Sequence, residues 1–301
     1  MQTESLVVSS PEALPSALSD LIPLPQPGRI LLTSPLHFDV QYVINPHMAG
    51  HIGNVDRERA RHQWTQLHDA YVQLGLEVAV VPGVEDLPDM VFCANQTLPF
   101  VTRRGEQGII VSRMYAPQRQ PEVEHYVRYF TALGYRIQPL PPTLDKHFEG
   151  MGDALWHPGR ALVWGGYGFR TDRGVYDYLA DWFGVPIIPL YLHDPDFYHL
   201  DTCLAPLDEH TVLIYPGAFD EAGLALIHRV FPTVLEAPED EARSLFACNA
   251  HCPDGTHVLI QQGCTHTNAL LTQAGFVPVP LETSEFLKAG GSVFCMKLAH
   301  W

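Results

Sequence analysis

At 301 residues, with 46% apolar and 10% aromatic residues, the chain can bury a sizeable core and does not have the composition of a disordered segment. Eighteen Lys and Arg against 34 Asp and Glu leave a formal charge of −16, which repels a phosphate backbone or an anionic bilayer and argues against nucleic-acid and membrane binding. The acidic opening MQTESLVVSSPEALPSALSD lacks the basic-then-apolar pattern of a secretory signal, no run approaches the ~18 apolar residues of a spanning helix, and six scattered cysteines form no disulfide framework; a reducing cytoplasm is the expected setting.

Residues 1 to 28, rich in Pro and Ser and ending in LPQPG, read as an N-terminal arm; residues 29–301 read as a single domain. RILLTSP is a short buried strand, followed by a helix over about 56–74 and the strand EVAVVP. VFCANQTLPF, the strand GIIVS, a helix around 121–133 and the strand YRIQPLP come next. ALVWGG, a helix at about 172–183, VPIIPLY, a strand near 203–207, VLIYPG and a helix at 219–230 continue the pattern. PTVLEA, HVLIQQG, a helix near 265–274, FVPVPLE and a terminal strand SVFCMKL complete it. Strands outnumber helices by nearly two to one, which does not suit a simple doubly wound sheet; repeated units of two or three strands plus a helix fit better. No fixed-period sequence repeat is visible.

Four short segments carry chemistry. In KAGGSVFCMKL, the pair Gly290–Gly291 lets backbone approach a ligand and Cys295 follows in the apolar strand, where a thiol near a cation is a nucleophile and one without is an inert core residue. In FYHLDTCLAPL, His199 and Asp201 stand at i and i+2 of an extended segment and so share a face, the arrangement a carboxylate-supported imidazole needs for acid–base work. In HFEGMGDALW, Glu149 and Asp153 flank a glycine-rich turn from which carboxylates can grip a guanidinium or simply cap the turn. Asn45 in YVINPHM and Asn95 in VFCANQTLPF end apolar runs in an amide that can donate and accept at once, although Asn45 before Pro46 also suits a turn. Arg113 and Arg170 complete the set as partners for a substrate carboxylate.

In this order the segments resemble the guanidino-group-modifying superfamily, which includes dimethylarginine dimethylaminohydrolases, arginine deiminases and amidinotransferases, over about residues 29 to 301. TSEFLKAGGSVFCMKL is the most specific match, with HLDT, FEGMGD and VFCAN in step. The resemblance implies the pentein-type α/β propeller, with ββαβ-like units around a central site. It further implies Cys295 as nucleophile, His199 as general acid and base, and Glu149 holding the guanidinium and orienting the histidine. Asp201 would support the histidine from beside it, Asp153 belongs to the same glycine-rich segment, and Arg113 and Arg170 would pair with the α-carboxylate of arginine or a methylated arginine. The chemistry so implied needs no metal or other cofactor. Where the single-step hydrolases carry an acidic residue this chain has Asn95, and with the SPLHFDVQYVINPHM stretch that is similar to arginine dihydrolases of the cyanobacterial type, which give ornithine, ammonia and carbon dioxide. Citrulline from a deiminase or dimethylaminohydrolase reaction is the alternative.

Two rival readings are weighed against this. Cys248, His251, Cys252 and His257 in ACNAHCPDGTH, with Cys264 and His266 after them, are ligand types suited to zinc, but their spacing is irregular. A non-catalytic amino-acid-binding protein on the same fold would be expected to lack Cys295, His199 or Glu149, and all three are present. Whether the chain forms a homo-oligomer is left open by the sequence.

Overall fold

The computed structural model describes residues 6–14 and 18–301; residues 1–5 and 15–17 of the expected arm lie outside them. In chain order the elements are β1 (Arg29–Thr33), α1 (Arg57–Gln73), β2 (Glu77–Val81), β3 (Thr97–Val101), β4 (Gln107–Val111), α2 (Val123–Ala132) and β5 (Arg136–Pro139). Then come α3 (Gly150–Asp153), β6 (Ala154–Trp156), β7 (Val163–Tyr167), α4 (Val175–Phe183), β8 (Ile187–Tyr191), β9 (Leu204–Pro206), β10 (Thr211–Ile214), α5 (Glu221–Val230) and β11 (Thr233–Glu236). The last are α6 (Glu239–Leu245), β12 (His257–Gln261), α7 (Thr265–Gln273), β13 (Val277–Leu281), α8 (Ser284–Leu287) and β14 (Lys297–His300).

These elements repeat one pattern. β3 and β4 pair antiparallel, α2 crosses over, and β5 pairs parallel to β4. β6, β7, α4 and β8 do the same, as do β9, β10, α5 and β11. In the next unit the first strand is reduced to a single bridge, His251 to Leu259, before β12, α7 and the parallel β13. The chain ends supply the fifth: β14 pairs antiparallel with β1, which runs parallel to β2 after α1. Mixed α/β architecture and repeated ββαβ units are therefore present, and the C-terminal strand is sealed in beside the first.

Local chemistry sets the boundaries. Asp56 caps α1 by accepting from the Arg59 amide at 3.0 Å, and Asp220 caps α5 by accepting from Gly223 at 2.8 Å. α4 stops at Gly184, whose left-handed backbone suits a residue without a Cβ. The described part of the arm lies along the body, with Val7 bridging Ile187 and Pro23 bridging Arg160.

The repeat has a consequence for function. Asn95, Asp153, Asp201, Asn249 and Cys295 each lie within a few residues before the first strand of a unit (β3, β6, β9, the His251 bridge and β14). Each of the five units thus delivers a polar side chain from the equivalent place.

Candidate active site

Cys295 does not sit in a strand, as the sequence suggested. Residues 292–297 form a turn, with the amides of Met296 and Lys297 donating to Ser292 and Phe294 oxygens at 3.2 Å, and β14 begins only at Lys297. Asn249 holds this turn: its Oδ1 accepts from the amides of Ser292 at 3.0 Å and Cys295 at 3.3 Å. Its Nδ2 donates to the Asp201 carbonyl at 2.8 Å and to Cys295 Sγ at 3.2 Å. The thiol in turn donates to Asp201 Oδ2 at 3.2 Å. Burial, with the Asp201 carboxylate adding to it, raises the thiol well above its ordinary pKa, which favours the protonated form. Asp201 is itself pushed up to about 7 by burial.

His199 and Asp201 are not on one extended face either. His199 caps a tight turn over Leu200–Thr202, and that turn sends the two side chains to different partners. The carboxylate beside the imidazole is Glu149, whose Oε2 lies 2.7 Å from Nε2; Asp153 Oδ2 lies 3.9 Å away, and Asp201 meets the thiol instead. Glu149 also accepts from Arg170 Nη1 at 3.2 Å and from the Tyr115 amide at 2.9 Å. Burial alone would raise Glu149, but Arg170 and His199 outweigh it and hold the carboxyl down to about 2. Asp153 anchors the Leu200 amide at 3.0 Å and is pushed up to about 7 by burial.

Asn95 is oriented from both sides. Arg119 donates to its Oδ1 at 2.9 Å, which leaves Nδ2 facing His199 Nδ1 at 3.5 Å. With Nε2–H turned to Glu149, Nδ1 is the ring nitrogen that carries a lone pair and faces the pocket. Gly152 makes this possible: a Cβ there would lie 2.2 Å from Asn95 Nδ2 and 3.4 Å from the imidazole. On the opposite wall Gly290 (φ +84) passes close to Asn45, whose Nδ2 donates to the Ala289 carbonyl at 3.0 Å while its Oδ1 caps the turn at Met48. Asn45 thus has both the turn role and a place on the pocket.

One small pocket joins these groups. Asn45, Asn95, Arg170, His199 and Cys295 line it, together with Asp89, Arg119 and Tyr198, and its free volume of about 10 Å³ holds about one water. Arg170 stacks on Tyr198 and donates to the Ile44 carbonyl at 2.7 Å. Glu149, Asp153 and Asp201 stand behind the lining. Arg113 is not brought in: its guanidinium donates to the carbonyls of Pro141, Leu144 and Lys146, on a loop outside the pocket. Arg119, buried against Glu122 at 2.9 Å, is the arginine that joins Arg170 in the lining.

The sequence reading passed over Asp89, Arg119 and Asn249. Asp89 is buried with the Tyr42 hydroxyl beside it, and burial raises its pKa. Arg119 had a signal in the Arg-x-x-Glu spacing to Glu122. Asn249 had one in its position ahead of a strand, obscured by the Cys/His cluster around it. In that cluster His251 meets the Tyr71 hydroxyl at 2.9 Å and His257 meets Asp254 at 2.7 Å. Among the described residues no three His, Cys, Asp or Glu side chains converge as a metal site.

A family model for eukaryotic N,N-dimethylarginine dimethylhydrolase matches residues 47–300. The chain belongs to this family, within the guanidino-group-modifying superfamily. It is 38% identical over 272 residues to the bifunctional arginine dihydrolase/ornithine cyclodeaminase ArgZ of Synechocystis, which covers 90% of this chain and 37% of ArgZ. The chain therefore spans little over a third of that relative. The N(G),N(G)-dimethylarginine dimethylaminohydrolase of Mycobacterium tuberculosis is 38% identical over 275 residues, covering 91% of this chain and 86% of the relative. Among solved structures, the N-terminal domain of ArgZ with an asparagine-to-serine change, covalently bound to a reaction intermediate, superposes with a TM-score of 0.83 at 38% identity, covering 90% of this chain and 97% of that one. No helix among the described residues is long and apolar enough to cross a membrane.

Proposed function

We propose that the protein hydrolyses the guanidinium group of arginine through Cys295, and that it does so twice, giving ornithine, two ammonia and carbon dioxide from one arginine and two waters. The carrying observation is the amide of Asn95, held by Arg119 so that it faces His199 Nδ1 beside Cys295. An amide hydrogen-bonds the cationic guanidinium and the neutral ureido group alike, whereas a carboxylate at this place favours the cation alone. The ArgZ domain, to which the chain is 38% identical, belongs to an enzyme named an arginine dihydrolase and has been seen with a covalent intermediate. The five ββαβ units are proposed to stand around the pocket as the blades of an α/β propeller, with residues 29–301 as the catalytic domain.

Arrival of the substrate cation beside Cys295 favours the thiolate that burial otherwise disfavours. The thiol proton passes to His199 Nδ1, and the thiolate adds to the guanidinium carbon. His199 returns the proton to the departing ammonia, leaving a thiouronium on Cys295. Water, deprotonated by His199, attacks that carbon and releases the thiolate and citrulline. Retained against Asn95, the ureido group undergoes a second addition at the same sulfur, and hydrolysis releases the second ammonia, carbon dioxide and ornithine. Glu149 fixes the imidazole throughout and stabilises its protonated form. Arg119 and Arg170 take the α-carboxylate, and Asp89, whose backbone oxygen Arg119 also holds at 3.1 Å, takes the adjacent α-ammonium. Because the pocket as it stands holds about one water, entry requires the Ile44–Met48 and Ala289–Gly290 walls to part.

A single-step dimethylaminohydrolase is the second reading, favoured by the family model and the mycobacterial relative. Incubation with arginine, dimethylarginine and citrulline, followed by amino-acid analysis, separates the two. Ornithine from both arginine and citrulline is expected; citrulline as the sole product defeats the two-step reading. Asn95→Asp should slow ornithine formation at least ~10-fold relative to the first ammonia release, so that citrulline accumulates.

A further inference from the structure

Two residues beyond Cys295 lies a lysine that the mechanism does not use. Lys297 is completely buried at the start of β14, and its Nζ has no hydrogen-bond partner. The ammonium sits 3.2 Å from the centroid of the Phe294 ring. It does not line the substrate pocket. Instead it lines a second cavity on the far side of the Cys295 turn, of about 70 Å³, with Phe294, His251, Cys252 and Trp156, under the arm residues Leu24 to Pro27. Trp301 pins that arm by donating to the Pro25 carbonyl at 2.7 Å.

The groups that face Lys297 belong to the nucleophile's side of the molecule. Asp201, Cys93 and Cys295 are the anionic or potentially anionic neighbours whose field favours its charge, and His251 is the other basic group beside it. Arg119 adds a more distant positive field at Asp201. Asp201 has one oxygen on the Cys295 thiol and the other, Oδ1, with no partner. An unpaired buried ammonium and an unpaired carboxylate oxygen thus stand within electrostatic reach of each other behind the reacting sulfur.

We propose that Lys297 is a positioning residue for the nucleophile: from behind Asp201, it supplies the positive charge that lets the Asp201–Cys295 pair carry a thiolate. This rests on the reading of Cys295 as nucleophile. The pair shares protons, and its titration belongs to both groups. A carboxylate and a thiolate in one dry site repel, and a cation behind them relieves part of that repulsion. Removing the cation raises every macroscopic step by which the pair loses protons, whichever group loses them first. Burial lowers the amine to about 7 while Asp201, Cys93 and Cys295 pull it back, so a thiolate at Cys295 and an ammonium at Lys297 each favour the other's charge.

The test follows the pH dependence of Cys295 alkylation by iodoacetamide, read by peptide mass spectrometry, together with kcat/KM against pH. Lys297→Gln should move the acid limb of both profiles upward by about one pH unit. Lys297→Arg, which keeps the charge, should restore both toward the wild-type profile, a rescue that a merely space-filling role predicts no better for arginine than for glutamine. Unshifted profiles in a folded Lys297→Gln protein overturn the inference. If the glutamine variant does not fold, the Lys297 Nζ resonance in otherwise intact protein carries the test: its titration midpoint should fall in Asp201→Asn, and an unmoved midpoint overturns the inference. Turnover by Cys295→Ser would instead overturn the nucleophile reading itself, so the two failures are distinct.

Discussion

On one side of the pocket, Glu149 is enclosed by Arg170, the His199 imidazole and the Tyr115 amide, and is held down to about 2. On the other, Asp201 meets a thiol and lies near the amide of Asn249, and is pushed up to about 7. Both carboxylates are buried behind the lining of the same pocket. What separates them is the kind of partner: a guanidinium in direct contact holds the first as an anion, while a thiol and a neutral amide leave the second free to change its proton. In the proposed mechanism the histidine side needs a fixed charge to hold a tautomer while the imidazole repeatedly takes up and gives back a proton. The cysteine side would pass between thiol and thiolate, and a neighbour poised near neutrality accommodates that change.

The sharpest way to break this contrast is Glu149→Gln. The amide keeps the shape and can still accept from Nε2–H, but the imidazolium loses its counter-anion and Arg170 loses its carboxylate. A fall in kcat of ~10²–10⁴-fold is expected, with KM changed less. Near-normal kcat would show that the charge of Glu149 is not used. The same contact makes a statement about acid stability. Because the folded pKa lies below the ordinary 4.5, Glu149 stabilises the fold above that pH, and the contribution is lost as pH falls from 4.5 toward 2. The glutamine variant should therefore show a flatter loss of melting temperature over that interval.

Asp201→Asn tests the other side, where the sign is opposite. A folded pKa near 7 against an ordinary 3.8 means that the folded protein binds the extra proton between those values, so this group costs stability as pH rises from about 4 to 7. Relative to wild type, the asparagine variant should gain roughly 1–4 kcal/mol on passing from pH 4 to pH 7. Denaturant melts at the two pH values measure it. A difference that stays constant across the interval would mean that Asp201 is ionised throughout.

How far these features could be read in advance follows from the range of the interactions that make them. Cys295, His199, Glu149 and Asn95 stand in short segments whose residue types and order are themselves informative, and the structure brings Cys295, His199 and Asn95 to one pocket with Glu149 behind the imidazole. The alternation of strands and helices was likewise legible, because burial periodicity is local. The conformation of HLDT was not. An i, i+2 pair shares a face only in an extended chain, and the tight turn at Leu200 is imposed by Asp153, which holds the Leu200 amide from 47 residues away. The terminal strand was placed too early for a similar reason: Ser292 to Met296 are apolar enough for a strand, but Asn249 takes their amides into a turn. Asn249 is marked as a site residue by its equivalent place ahead of the first strand of its unit, a relation between units that no local pattern carries.

The two arginines give the smallest of the expected effects and the most direct check on which residues meet the substrate. The family resemblance made Arg113 a natural carboxylate partner, yet its guanidinium is taken up by three carbonyl oxygens of the loop at Pro141–Lys146. Arg119 lies on the pocket, ties Asn95 in place and is held by Glu122. Arg113→Lys should cost about 1 kcal/mol of stability at most and leave KM for arginine within about twofold, since it removes only half-exposed hydrogen bonds. Arg119→Lys keeps the charge but loses the planar fork, and should raise KM by ~10-fold or more. If the two effects were reversed, the loop around Arg113 would have to release its guanidinium to the substrate. The pocket would then be completed by a rearrangement on binding, whereas in this structure Arg119 already faces it.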